Sequence, residues 1–499
     1  MSVGQHDVLL LHPPITLKRE DADSFGCYPP LGLAYLAAEL ERAGHNVKVV
    51  DLLVEGADKR SPVDEHNVRI GLSDEDIQAM LAATAPKIVG ISNNFTAFSR
   101  DAVALAWLVR RSLPQALVVM GGAQATVAAE SIVSTGAVDV VVLGEGEFHF
   151  RHLVELTLAG EEARARQLPA TVWRSELGII NNGYPGPIAD LDSLPMPAYH
   201  LLPMEKYIWQ RHANFAVSRR WPIAHMITTR GCMYNCIFCS TTKLYKKFRP
   251  RSAESVLAEM KLLIANYGVR EFHFHDDSFL SDPARVRLLC QRIIDEGLNV
   301  TWQVSQGINS IRLDEDLLEL MHRSGMYRMG FPIESGDLSV LRFIRKPLRL
   351  EKVLSLIRKC NELGIYTFGC FMIGFPEETL EQISKTMQFM LDSGLDYAKI
   401  SIVQPLAGSE LYEVFVNHGL VTDTPRHGST YWHTEYDTLY LTADQLNAMR
   451  RLVTRKFAQK RILRMLTPGG LRRHLLPKLR DMEHVRYFLR IMWLALRGI

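Results

Sequence analysis

Seven cysteines in 499 residues are too few to staple a chain of this length, and such usage suits a reducing compartment better than a disulfide scaffold. Long apolar runs are also missing, since no stretch approaches the roughly 20 residues that cross a bilayer. The opening "MSVGQHDVLLLHPP" has no basic segment ahead of an apolar run and a small-residue cleavage site. A secretory signal is therefore not expected, and the cytoplasm is the expected compartment. Neither sign of charge prevails, with 57 Lys/Arg against 55 Asp/Glu. No G-x-G-x-x-G follows the first apolar run, which counts against a standard dinucleotide fold. Acidic residues are scarce in one place: residues 451–499 carry thirteen Lys/Arg opposed only by Asp481 and Glu483. The rest of the chain is consequently net negative.

The length predicts two to four domains. Over the first 150 residues, short apolar runs alternate with helical patterns. "DVLLLHPP" (7–14), "NVKVVDLL" (46–53), "KIVGISNN" (87–94), "LVVMGGAQA" (117–125) and "VDVVVLGEGE" (138–147) read as buried strands, with helices near 31–44, 74–85 and 99–112 between them. This is the pattern of a doubly wound, mostly parallel sheet, whose ligands sit at the carboxyl ends of the strands. Those ends carry Asp51, Ser92-Asn93-Asn94, Gly121-Gly122 and Gly144-Glu145-Gly146-Glu147. A Pro-punctuated connector over 160–220 leads to a second alternating series. Its strands are expected within 224–231, 270–277, 299–307, 327–335, 366–375 and 397–405. Six strand–helix units predict an incomplete barrel with its chemistry at the strand C-termini.

Just past the first barrel strand lies "TRGCMYNCIFCS" (229–240), with Cys232, Cys236 and Cys239 spaced Cys-x3-Cys-x2-Cys. A structural zinc site wants four protein ligands. The nearest additions, His225 and His273, lie at irregular spacings, and there is no second cysteine pair. Iron–sulfur cubes take one thiolate per iron, so three cysteines leave one iron open to a substrate or cofactor. A catalytic zinc remains the alternative from spacing alone.

The cysteine motif, together with "HDDSF" (275–279), "GFPIESGD" (330–337), "CFMIGFPEET" (370–379) and "VQPLAGSELY" (403–412), resembles the radical S-adenosylmethionine (SAM) superfamily. "YPPLGLAYLAAELERAGHNVKVVD" (28–51), "VGISNNFTAF" (89–98), "VVMGGAQAT" (118–126) and "VVVLGEGE" (140–147) resemble the cobalamin-binding domain that precedes the barrel in class B of that superfamily. The resemblance implies a Rossmann-like cobalamin domain over 1–155, a connector over 156–220, a partial (β/α)6 barrel over 221–415 and a helical extension over 416–499. It implies a 4Fe-4S cluster on Cys232, Cys236 and Cys239, with SAM on the fourth iron. Asp276 and Asp277 would lie near the SAM amino group, and Glu334 and Ser335 near its ribose or methionine part. Cobalamin would meet Ser92, Asn93, Gly121, Gly122, Gly144, Glu145 and Gly146. The Asp-x-His-x-x-Gly motif that supplies a cobalt ligand elsewhere is absent, and His45 sits at a turn. Gln306 stands where many relatives carry Arg.

Such an enzyme would be a C-methyltransferase for an unactivated carbon. The alternative is a cyclase, oxidase or rearrangement enzyme with the same cofactors. An electron donor such as flavodoxin or ferredoxin is expected. The tail segments "KFAQKRILRML" (456–466), "LRRHLLPKLR" (471–480) and "HVRYFLRIMWLALRG" (484–498) mix Arg with bulky apolar residues. They read either as a peripheral membrane contact or as helices packed on the barrel. They favour a hydrophobic substrate (lipid, hopanoid or tetrapyrrole-like) and do not suggest nucleic acid. Cys290, Cys360 and Cys370 are expected in the core. His273 and His275 are expected on one strand face. Cys27 has no assignment.

Overall fold

Apolar runs bounded by turn residues become buried parallel strands, and the amphipathic stretches between them become covering helices. The computed structural model describes residues 6–470 apart from 20, 23–25, 177, 210–217, 246, 305–307, 309, 407, 422–432 and 466. The chain forms two compact units, Met1–His212 with Lys243–Arg249, and Ala213–Thr242 with Pro250–Ile499.

In the first unit, strands β1 (Val8–His12), β2 (Val47–Asp51), β3 (Ile88–Ser92), β4 (Leu117–Gly121) and β5 (Val140–Val142) are parallel, in the order β5-β4-β3-β1-β2. This is flavodoxin-like order, and its switch point lies between β1 and β3. The covering helices are α1 (Leu31–Arg42), α2 (Asp74–Thr84), α3 (Ser99–Ser112) and α4 (Glu147–Leu158). Helix α2 starts at a capping box in which Ser73 and Asp76 satisfy each other's backbone. Leu9, Leu11, Val89, Leu105 and Val118 form part of one closed core beneath these elements. Two features escaped the sequence reading. Strands β6 (Thr171–Ser175) and β7 (Gly178–Asn181) extend the sheet in antiparallel fashion beyond β5. A separate antiparallel sheet joins Ile15–Lys18, Asn67–Ile70 and Arg60–Pro62.

In the second unit, β8 (Ile223–Met226), β9 (Glu271–Phe274), β10 (Thr301–Val304), β11 (Met326–Glu334), β12 (Tyr366–Ile373) and β13 (Tyr397–Ile402) are all parallel and follow chain order. Strands β8 and β13 are edges, so the barrel is open, as six units predict. Its helices include α5 (Ala253–Tyr267), α6 (Pro283–Asp295), α7 (Glu315–Arg323), α8 (Leu350–Leu363) and α9 (Leu380–Asp392). Side chains of Ser252, Asp282 and Asp314 cap the first three. Phe272, Phe274, Phe279 and Trp302 are fully buried, and the last three pack ring against ring.

Helix α10 (Ala443–Met465) runs along β13 with Leu446, Val453 and Phe457 buried. Lys460 pairs with Asp392 at 2.9 Å, and an Arg464 Nη donates to the Gly394 carbonyl at 2.6 Å. The first basic segment of the tail therefore packs on the barrel where it is described, and residues 471–499 lie outside the described residues. No described helix is long and apolar enough to cross a membrane.

Candidate functional site

The cysteine loop is fastened from below by two carboxylates at the end of β9. Asp276 is buried; its Oδ1 accepts from the Thr228 and Thr229 amides at 2.5 and 3.0 Å, and its Oδ2 from the Thr228 hydroxyl at 2.5 Å. Asp277 accepts from the Gly231 amide at 3.1 Å, and burial followed by the Asp276 charge pushes its carboxyl up to about 6. Gly231, at φ +76°, takes the left-handed turn that the loop needs.

Beyond it, Cys232, Cys236 and Cys239 are free, half-buried thiols. The Cys239 amide donates to the Cys236 carbonyl at 3.1 Å, and the Cys239 thiol to the Thr241 hydroxyl at 3.2 Å. Burial pushes the Cys236 thiol up to about 11, against the opposing charge of Lys346. That lysine reaches Glu334 at 3.0 Å. Glu334 itself sits at φ +67°, a left-handed conformation that costs a non-glycine residue. Ser335 is fully buried, its hydroxyl sharing a hydrogen bond with Thr386 of α9 at 2.9 Å.

No three His, Cys, Asp or Glu side chains among the described residues stand close enough to hold one metal ion, the three thiols included. An all-thiolate donor set fits a cube with one iron per sulfur.

At the carboxyl edge of the first sheet, Asn93 is buried; its side-chain amide donates to Ser99 at 3.1 Å, while its Oδ1 has no hydrogen-bond partner among the described residues. The Asn94 amide donates to Ser92 at 3.0 Å. Gly122, at φ +111°, lies so close to the Asn93–Asn94 backbone that a Cβ would fall 2.5 Å from the Asn94 side-chain oxygen. Gly121 ends β4 beside them. Gly144, at φ +65°, lies under the Tyr184 ring, 2.3 Å from where a Cβ would be. Gly146 begins α4. Glu145 is consumed by a buried bidentate pair with Arg249 at 2.7 and 2.8 Å and by the Ile188 amide at 2.7 Å.

Sequence reasoning missed a further group. His12, at the end of β1, shares a 3.0 Å hydrogen bond through Nδ1 with Asp51, which also accepts from the Tyr207 hydroxyl at 2.6 Å. Cys27 is buried near Asp51. Only a turn-rich "HPP" hinted at His12, and Tyr207 lies 156 positions from Asp51. An orphaned carbonyl oxygen, glycine backbone at two strand ends and a carboxylate-oriented histidine suit a large polar macrocycle at the carboxyl edge of the sheet. The residues present fit cobalamin.

Inside the barrel, His225 and His275 share a 2.7 Å hydrogen bond, and His273 bonds Glu271 at 2.8 Å. His273 and His275 do share a face, as their alternation implied. Cys290 and Cys360 are fully buried. Cys370 differs: it is only half-buried, on the strand face it shares with Tyr366 and Phe368. Gln306 lies outside the described residues.

A flavodoxin-like sheet followed by an open six-stranded barrel, with an incomplete cysteine ligand set past the first barrel strand, defines a radical SAM enzyme carrying a cobalamin-type domain. Residues 226–390 match the Radical SAM superfamily and residues 22–154 the B12 binding domain. The cytidylyl-2-hydroxyethylphosphonate methyltransferase of Streptomyces wedmorensis is 34% identical over 447 residues, covering 83% of this chain and 82% of that protein. The anaerobic magnesium-protoporphyrin IX monomethyl ester cyclase of Rubrivivax gelatinosus is 25% identical over 410 residues, 81% of this chain and 69% of that protein. The solved structure of the cobalamin-dependent radical enzyme OxsB shares the fold, with a TM-score of 0.69 at 14% identity over 99% of this chain and 72% of that one. The chain belongs to the cobalamin-dependent radical SAM enzymes. Its cofactors are those of the family: a 4Fe-4S cluster, SAM and cobalamin.

Proposed function

We propose that the chain is a C-methyltransferase acting on an unactivated carbon of a small molecule. One observation carries this: an open triad, Cys232, Cys236 and Cys239, in a chain 34% identical to a methyltransferase across 83% of its length. When bound, the cluster with SAM supplies a hydrogen-abstracting radical, and cobalamin supplies a methyl group that polar chemistry cannot deliver to such a carbon.

The chain's own residues orient and shield. Asp276 and Asp277 hold the backbone leading into the cysteine loop, and Lys346 keeps a positive charge beside Cys236 that favours thiolate. Asp277 and Glu334 are our candidates for the SAM amino group and ribose. Ser92, Asn93, Gly121, Gly122, Gly144 and Gly146 are our candidates for cobalamin. A one-electron donor of flavodoxin or ferredoxin type completes the reading. The described part of the tail packs on the barrel and so does not itself argue for a hydrophobic substrate.

A second reading, ring closure or oxidation without methyl transfer, is favoured by the cyclase relative. The test is anaerobic reconstitution with iron, sulfide and hydroxocobalamin, then incubation with SAM and a reductant. A methyltransferase forms S-adenosylhomocysteine together with 5′-deoxyadenosine. Formation of 5′-deoxyadenosine alone favours the cyclase reading. Cys232→Ala loses the cluster absorbance and 5′-deoxyadenosine but keeps bound cobalamin.

A further inference from the structure

Parallel register lines up the ends of β1, β3 and β4 along one edge of the first sheet. Leu11 lies opposite Ile91, and Ser92 opposite Gly121. His12, the last residue of β1, therefore stands beside Ser92, at the edge where Ser92 and Gly121 are candidates for cobalamin. On its other side His12 is in register with Asp51, the last residue of β2.

Asp51 is fully buried and held from several sides. Its Oδ1 shares the 3.0 Å bond with His12 Nδ1 and accepts from the Leu53 and Val54 amides at 3.0 and 3.2 Å; its Oδ2 accepts from the Tyr207 hydroxyl at 2.6 Å. Burial, followed by the Asp51 charge, pushes the Tyr207 hydroxyl far above the usual phenol range, so it stays a donor. A carboxyl group that accepts from two amides and a phenol leaves the proton of the shared bond on Nδ1. In the neutral ring the lone pair then sits on Nε2. That nitrogen has no hydrogen-bond partner among the described residues, and the His12 side chain is 22% exposed.

An imidazole tied through one nitrogen to a carboxylate, with the other nitrogen open, is the usual form of a metal-ligating histidine. A corrin supplies the equatorial ligands of its cobalt, so a single side chain suffices. The rivals are poorly placed. His6 and His45 precede β1 and β2 and so lie at the amino edge. Burial pushes the Cys27 thiol up to about 12, and thiolate is the ligating form. His149, in the first turn of α4, has no carboxylate bonded to its ring among the described residues. We propose that His12 is an axial ligand of the cobalt of cobalamin, bound through Nε2 and oriented by Asp51. In the Asp-x-His-x-x-Gly motif, which this chain lacks, acid and histidine share one loop. Here the pair is assembled from the ends of two adjacent strands, 39 positions apart. The proposal rests on the reading that cobalamin occupies the carboxyl edge of the first sheet.

The test loads the full-length protein with hydroxocobalamin, reduces the cobalt to cob(II)alamin and records its electron paramagnetic resonance with ordinary and with nitrogen-15 histidine. An axial histidine splits each resolved cobalt line into a triplet that becomes a doublet on labelling. The cofactor's own benzimidazole gives a triplet that labelling leaves alone. That result overturns the proposal, as does a spectrum without nitrogen splitting or a protein that retains no cobalamin. In labelled protein His12→Ala should keep cobalamin and lose the doublet, while His149→Ala keeps both; the opposite pattern overturns the proposal. Asp51→Ala, with unchanged circular dichroism, should lower the histidine-bound fraction at least ~10-fold, the usual cost of removing the partner that orients a ligating histidine. A full doublet in that variant overturns the orienting role. S-adenosylhomocysteine is assayed on the same preparations given SAM and a reductant. A doublet without S-adenosylhomocysteine refutes the methyltransferase reading and leaves the ligand standing. S-adenosylhomocysteine with an unaltered triplet does the reverse.

Discussion

Replacing Asp276 with Ala removes the anchor of the stretch that presents the cysteines. Three donors lose their acceptor: the Thr228 and Thr229 amides and the Thr228 hydroxyl. Hydrogen bonds to a charged group contribute about 1.5–3 kcal/mol each, and buried donors left unmade cost a comparable amount. The carboxylate's own burial offsets part of this, since it pushes the Asp276 carboxyl up. Arg285, whose guanidinium donates to the Arg251 and Thr228 carbonyls, also loses a neighbouring negative charge. A net loss of about 3–5 kcal/mol is the expected outcome, as for breaking a buried charged network. Asp276→Asn keeps one acceptor oxygen for the two amides, and the Thr228 hydroxyl can turn to accept from the new amide, so about 1–2 kcal/mol is expected. The assay is iron and sulfide per chain after anaerobic reconstitution, beside circular dichroism and a urea midpoint. Asp276→Ala should lose most of its iron although all three cysteines remain, with Asp276→Asn intermediate. An alanine variant with full iron and an unshifted midpoint refutes the anchoring role.

Glu378, buried with its Oε2 accepting from the Gly374 amide at 2.7 Å, has a carboxyl pushed up to about 8, chiefly by burial. The folded chain thus keeps a proton that the unfolded chain releases, so this contribution to stability is full below about 4.5 and lost as pH rises towards 8. Glu378→Gln should gain Tm relative to the wild type as pH goes from 5.5 to 8.5, and parallel Tm curves would refute it. For the Glu145–Arg249 pair, with side chains 2% and 8% exposed, either single alanine should cost about 3–5 kcal/mol by leaving a buried charge alone. The double variant should cost clearly less than the sum in a thermal double-mutant cycle, and strict additivity denies the coupling. Gly144→Ala should lower Tm through both its φ of +65° and the Tyr184 ring. Adding Tyr184→Ala should recover only the steric part, and an unchanged Gly144→Ala Tm would contradict the packing.

The eleven parallel strands were legible because each is a short apolar or alternating run closed by turn residues, a signal carried by adjacent positions. The cysteine triad was legible for the same reason, its ligands falling within eight residues. What escaped depends on distant pairing. Strand β7, Gly178–Asn181, is exposed throughout and has no apolar pattern; only its register with β6 makes it a strand. The His12–Asp51–Tyr207 group and the Lys346–Glu334 pair join residues from separate elements, and no spacing announces them. Position within a motif also conceals orientation. Asp276 and Ser335 stand where ligand contacts were expected, yet their side chains hold backbone and a neighbouring hydroxyl.

The basic tail shows how far residue type alone can mislead about a partner. Arg interleaved with Leu and Ile suggests a membrane surface as readily as a packed helix, because both satisfy an apolar stripe and leave charge outside. Along α10, however, exposed Lys460 and Arg464 bind the barrel rim, and only Arg461 of these three turns inward, to the Tyr366 hydroxyl. An inward arginine is costly unless something answers it, and here the described residues offer aromatic faces but no carboxylate. A segment that pointed to a membrane or a hydrophobic substrate in sequence covers the edge strand β13 of the open barrel where it is described. The same cation cannot serve both a lipid headgroup outside and the Tyr366 hydroxyl within, so Arg461→Gln separates the two. It should lower the Tm if the helix is held by its barrel contacts, and weaken only vesicle binding if the tail is a membrane contact.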